Sequence, residues 1–292
     1  MKRNAEARVG LPRTSLIQNC LLTLLILLLA TASLSFAQEK KDNTGTNPAN
    51  FTYDARFYHE MAALENPGGS LITNTYEFRL PLGGDVANLK GAGGDSRISE
   101  VGKRFGLRIR ARYQNLSVGD PDGDPFSTSE ASGIGDLDAR VLWMAHASKG
   151  FIFVPGLEAF FDTGTNPAIG SGANILAPVV FGVFPGLLGK ASLFAPGYQY
   201  LFDISGDETI SRSQLDLYFV WILAKGKNWL IVDPQIILDH DTDKIPALCE
   251  FEFGYMIAPS VGASTYLRPG IGIGSDRPYT WNLEVGLKFV WR

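Results

Sequence analysis

From Thr280 to Trp291 the sequence alternates without a break, and few folds accommodate such a pattern. Trp281, Leu283, Val285, Leu287, Phe289 and Trp291 share one phase; Asn282, Glu284, Gly286, Lys288 and Val290 share the other. A period of two specifies a β-strand with one apolar and one wetter face. An apolar phase bounded by tryptophan at both ends fits a strand crossing a lipid hydrocarbon layer, which takes roughly 9–11 tilted residues. The run closes the sequence, the position at which outer-membrane barrels seal.

The other end reads as an export signal. Lys2, Arg3, Arg8 and Arg13 form a basic region, Leu21–Ala32 an apolar stretch, and Ser35-Phe36-Ala37 a small-x-small cleavage site before Gln38. The expected organisation is a cleaved signal at 1–37, a polar disordered segment at 38–50 and a barrel at 51–292. Cleavage takes the net charge from −4 to about −7, because four basic residues and one acid leave. That balance argues against a nucleic-acid partner, which needs a basic footprint. Cys20 leaves with the signal and Cys249 remains as a small residue on a strand, so no intramolecular disulfide is available.

Beyond the signal no apolar run is long enough for a helical span, so strands must do any crossing. Twelve stretches carry strand character: 51–64, 71–82, 104–118, 135–147, 151–163, 174–184, 190–204, 212–223, 228–239, 247–257, 261–272 and 279–291. Short and long links alternate between them. Ala147–Gly150, Pro185–Gly189, Ala224–Lys227 and Ala258–Ser260 are tight; Gly119–Ile134, Gly164–Ala173, Ser205–Ser211 and His240–Pro246 are longer and polar. Membrane barrels keep short turns on one side and long loops on the other, whereas a soluble sandwich has no reason to. The long link Pro81–Lys103 departs from that order, and Pro155, Pro178, Pro196, Pro234 and Pro269 each remove a ladder donor inside a strand.

The expected fold is therefore an all-β, twelve-stranded antiparallel transmembrane barrel. Trp143, Trp221 and Trp291 then lie at one rim and Trp281 at the other, forming an aromatic girdle. Trp229 shares its phase with Asp233 and Gln235, so it marks either a bulge or a lumenal ring. With the more apolar phase of each strand given to lipid, Arg108, Arg110 and Arg112 point inward. So do Glu77 and Arg79 on one flank and Asp136, Asp138 and Arg140 on the other. Asp233, Glu250, Glu252, Glu284 and Lys288 complete the lumen-lining set. An arginine on the lipid face at bilayer depth costs about 2–4 kcal/mol, so these rows must face the interior. Two roles are open to them: selecting polar or anionic solutes, and cross-linking neighbouring strands. Ile152, Val154, Leu176, Val180 and Leu193 suggest an apolar lumenal wall, which suits either amphipathic solutes or packing against an inward-folded segment.

No catalytic constellation is legible. His59, His146 and His240 are widely spaced, and neither His59 nor His146 has a clear serine partner for the lipid hydrolysis that would be one alternative function. The acidic run Asp239–Asp243 reads as a solvated loop. Asp120–Asp124 has Pro125 where a calcium loop needs glycine, and Gly270–Gly274 ends a strand rather than opening a helix. No metal and no cofactor is expected.

Gly133-Ile-Gly135-Asp136-Leu137-Asp138-Ala139-Arg140 resembles the G-[LI]-G-D-L segment of the phenol-degradation meta-pathway (MetA-type) outer-membrane transporter family. Asp162-Thr163-Gly164-Thr165 with Gly170-Ser-Gly172 and Ala177-Pro178-Val179 is similar to a second segment, and Lys288–Trp291 to its C-terminal hairpins. The resemblance implies an outer-membrane barrel of a Gram-negative bacterium that takes up aromatic or other hydrophobic compounds. The expected function is a channel or transporter for small solutes, with outer-membrane lipid, the barrel-assembly machinery and the solutes as partners. A structural or adhesion barrel is the main alternative.

Overall fold

The computed structural model describes residues 47–65, 68–82, 104–119 and 128–291. Twelve antiparallel strands form a closed ring. They are β1 (Tyr53–Leu64), β2 (Gly69–Pro81), β3 (Phe105–Gly119), β4, β5 (Ile152–Phe161), β6 (Ala173–Pro185), β7 (Ser192–Gly206), β8 (Ser211–Leu223), β9 (Asn228–Asp239), β10 (Ala247–Ala258), β11 (Ala263–Ile273) and β12 (Trp281–Trp291). The fourth, β4, runs in three pieces, Thr128–Ile134, Leu137–Trp143 and His146–Ala147. The seam joins β12 to β1 in unbroken register from Tyr53↔Trp291 to Ala63↔Trp281. Closure pairs each strand on both sides, as a strand-built membrane protein requires, apart from the Thr128–Ile134 piece of β4, which among the described residues pairs only with β3. The signal and the link between β2 and β3 lie outside the described residues.

Alternation sorts the side chains as the hydropathy implies. Phe57, Tyr76, Phe78, Ile109, Val285, Leu287 and Phe289 stand exposed on the outer face, while Glu77, Asp138, Glu158, Glu252 and Lys288 are buried inside. The order of buried and exposed residues is thus inverted relative to a soluble protein, and lipid is the solvent that makes the inversion favourable.

The five prolines stay within their strands and all take the outward phase. Each coincides with a local interruption of only one of its two ladders. Pro178, for example, pairs with Leu157 on β5, while the β6–β7 register skips from Leu176↔Phe202 to Val179↔Gln199. Pro234 pairs with Cys249 on β10 and breaks the β8–β9 register between Asp216↔Gln235 and Phe219↔Val232. In an antiparallel ladder a residue sends both backbone groups to the same neighbour. A proline therefore weakens one side and leaves the other intact, and a closed ring tolerates it without an edge.

Two expectations about phase and extent are corrected. The link expected over Gly119–Ile134 is in part strand, because Thr128–Ile134 pairs with Tyr113–Gly119 of β3. In β6, Leu176 and Val180 face outward, and Ile175, Ala177, Val179, Phe181 and Val183 are the buried lumenal set. Both phases of β6 are apolar, so hydropathy offered no contrast with which to choose.

At the end of the barrel carrying the tight turns the interior is filled. Val154, Val179, Val183, Leu193, Ala195, Val220, Trp229, Ile231 and Met256 form one apolar cluster, and Ala49 is part of it. Residues 47–52 precede β1 and lie within the lumen, with Phe51 against Gly106 of β3. A turn held by Asn47 Oδ1, which accepts from Ala49 N at 2.9 Å, folds them there. The apolar wall of β5–β7 thus packs against an inward segment, one of the two roles anticipated for it. Trp229 is the lumenal ring, and no bulge is needed.

Glycines make room for the rings. A β-carbon at Gly254 would fall on the Trp229 indole, and one at Gly286 on the Tyr266 ring. Gly254→Val should lower the temperature at which the compact, fast-migrating form converts to the slow form on a gel. Overpacking of this kind costs about 1–3 kcal/mol, and an unchanged conversion temperature would show that the ring can move aside.

Candidate functional site

Above the apolar cluster the lumen opens into a cavity of about 670 Å³. On one side, β3 sends Arg108, Arg110 and Arg112 inward from alternate positions. Such a row repels itself, so its neighbours must supply anions. Asp138 of β4 accepts from Arg110 Nε at 2.9 and 3.0 Å and pairs with Arg112 at 2.7 Å and Arg108 at 3.3 Å. Glu158 of β5 pairs with Arg108 and Arg140, accepts from Arg110 at 3.2 Å and from Gln199 Nε2 at 2.8 Å. Both carboxylates are within 1% of complete burial. A second group adjoins on β1 and β2, where Arg79 meets Glu77 at 2.6 Å and Arg56 meets Asp54 at 3.0 Å and Glu77 at 3.4 Å.

The opposite side is acidic. Arg268 of β11 bridges Asp233 at 2.7 Å and Glu250 at 2.5 Å. Asn282 donates to Glu60 at 2.8 Å and to Glu250 at 2.7 Å, Gln214 to Asp216 at 2.9 Å, and the Tyr266 hydroxyl to Glu284 at 2.6 Å. Lys288 lies between the Trp229 and Tyr266 rings at 4.8 and 4.9 Å and donates to Glu252 at 2.9 Å; Trp229 Nε1 donates to the same oxygen at 2.6 Å. Tyr279, from the link before β12, dips in to donate to Glu250 at 3.1 Å.

Glu77, Arg79, Arg108, Arg110, Arg112, Asp138, Arg140, Asp233, Glu250, Glu252, Glu284 and Lys288 all sit on the lumenal side. Asp136 does not. Its carboxylate accepts from the backbone N–H groups of Thr163 at 3.3 Å, Gly164 at 3.1 Å and Ser171 at 2.8 Å. The Thr165 hydroxyl meanwhile accepts from Ile134 N at 3.0 Å, and Thr163's from Leu137 N at 3.0 Å. The strand piece Thr128–Ile134 has no ladder partner toward β5 among the described residues, and this loop bonds it at its Ile134 end. The two motif segments of the sequence are thus the two halves of one clamp.

Residues missed from sequence are Asp54, Arg56, Glu60, Glu158, Asp216 and Arg268. Glu158 lies between apolar Leu157 and Ala159, and Arg268 precedes Pro269, so neither stands in a visibly polar row. Period-two counting from Val154 or Tyr266 reaches them. Trp143, Trp281 and Trp291 are exposed at the rims, Trp143 stacked on Phe105 at 6.0 Å. Trp221 is on the outward phase but covered, stacked on Phe219 in a row continuing to Phe194.

On the outer face, His59 Nδ1 meets Asn74 Oδ1 at 2.9 Å, and His146 rests near Phe151. The serine–histidine contact is instead Ser213 Oγ to His240 Nε2 at 2.9 Å, with Tyr198 on the same serine. Among the described residues no carboxylate or amide hydrogen-bonds the other nitrogen of His240, so the pair lacks the orienting group of a hydrolytic triad.

No protein-family model matches the sequence, and no curated protein does. Solved structures do. The COG4313 outer membrane channel from Pseudomonas putida F1 is similar over 86% of this chain and all of that one, at 12% identity and a TM-score of 0.61. The KdgM porin is similar over 82% of this chain and 99% of that one, at 12% identity and a TM-score of 0.50. At such identities the likeness is one of fold, the outer-membrane barrel.

Two outcomes are expected. Asp136→Ala should leave a heat-modifiable barrel whose 163–171 loop is newly cut by protease in outer-membrane vesicles; resistance equal to the parent would refute the clamp. Glu158→Gln leaves its arginines undercompensated and should destabilise the barrel by about 3–5 kcal/mol, read as earlier thermal conversion on gels.

Proposed function

We propose that this chain is an outer-membrane channel for small polar solutes, exported through a cleaved signal at 1–37 and inserted into lipid by the barrel-assembly machinery. The observation that carries the reading is the charged cavity. A barrel of twelve strands is wider than one filled by its own side chains and narrower than a porin. Its polar side chains are held by their mutual pairing against the wall, which leaves space along the axis. Cross-linking and selection therefore act together in the arginine rows: a guanidinium fixed by two carboxylates remains a cation facing the passage.

The aromatic and hydrophobic compounds implied by the sequence resemblance fit this lumen less well. The apolar wall that would receive them is occupied by Ala49 and Phe51. That same segment narrows the tight-turn end, so passage depends on it.

Planar-bilayer conductance and liposome swelling test the proposal. The full chain should conduct ions and admit glycerol-sized solutes, and deletion of residues 38–52 should raise single-channel conductance several-fold. A barrel closed to every solute both before and after the deletion would favour the structural or adhesion reading instead.

A further inference from the structure

The cavity is electrically lopsided. Its arginine side, β1 to β5, carries six arginines against the carboxylates of Asp54, Glu77, Asp138 and Glu158. Its acidic side, from β8 round to Glu60 of β1, carries six carboxylates against Arg268 and Lys288. In a ring of twelve strands β3 stands opposite β9, and β4 opposite β10. The strand that carries the arginine row thus stands across the lumen from the strand of Asp233, and the strand of Arg140 from that of Glu250. Field lines run across the passage rather than along it, through a low-dielectric interior that screens them weakly.

Each side also keeps an unmet polar atom. Asp233 is 4% exposed and lines the cavity, and its Oδ1 has no hydrogen-bond partner. Arg108 Nε on the arginine side and Arg268 Nε on the acidic side are likewise buried without an acceptor, and Asn282 Oδ1 without a donor. The excess of guanidinium on one wall and of carboxylate on the other describes a complementary guest. A singly charged ion gains at one wall and loses at the other. A neutral solute gains little at either.

We propose that the lumen binds and passes small zwitterions, carboxylates or sulfonates joined to an ammonium by a short chain, with the anionic end toward Arg108 and the ammonium toward Asp233. The proposal rests on the channel reading and names its solute class. The cavity volume of about 670 Å³ accommodates such a molecule with water.

Three probes share a two-carbon skeleton: taurine is zwitterionic, isethionate an anion and choline a cation. Uptake of each into proteoliposomes holding the full chain would be compared with glycerol. Taurine should enter about tenfold faster than either ion, the scale of one charge-assisted hydrogen bond. Asp233→Asn should bring taurine down toward the isethionate rate, each read as a ratio to the glycerol rate of the same proteoliposomes. Glu60→Gln, whose amide can still accept from Asn282, provides a second, milder removal of acidic-side charge if the first variant fails to give a heat-modifiable barrel. Equal rates for taurine, isethionate and choline, with glycerol passing, would overturn the zwitterion proposal and leave the channel standing. Passage of none of the four would remove the channel reading and this proposal with it.

Discussion

Inside a hydrocarbon layer a backbone N–H or C=O has no water to turn to, and everything in this barrel follows from that shortage. Twelve strands close because an open edge would strand a row of such groups. The prolines are admissible because each interrupts a ladder on one side only. Where β4 breaks after Ile134, the Thr165 hydroxyl accepts from Ile134 N and that of Thr163 from Leu137 N, and the Asp136 carboxylate holds the loop that carries both.

The same shortage governs the charges. A guanidinium cannot face acyl chains without a penalty of a few kcal/mol, so the arginines are turned inward. Turned inward, they are too many to share one strand face unaided. Asp138 and Glu158 sit one and two strands away, close enough for each to serve several arginines at once. The network has a second effect: with the cations gathered on one arc and most of the carboxylates on the other, the interior has a polarity that no single ion pair would produce.

How much of this was legible depended on contrast between the two phases of each strand. β12 and β3 alternate apolar against charged, and both their direction and their lumenal residues could be read directly. β6 is apolar on both phases, so Leu176 and Val180 were assigned to the wrong face. Thr128–Ile134 is rich in small polar residues and glycine and becomes a strand only because β3 extends alongside it. Asp136 shared the phase of Asp138 and Arg140, but the chain breaks at Gly135 and the alternation resets there. Glu158 and Arg268 needed the neighbouring register before their company with arginines and carboxylates became apparent.

Lys288 shows what such packing means for how the barrel completes itself. Its ammonium occupies a slot made by an indole on β9 and a phenol on β11, each lying over a glycine. Sliding β12 by two positions along β11 would offer that slot Gly286 or Val290 and leave Glu252 without this counter-ion. The last strand of the chain therefore carries a key that fits its β11 partner at one depth only. A single cation thereby fixes the depth at which β12 lies against β11, and a shifted pairing there is penalised by an unpaired buried carboxylate.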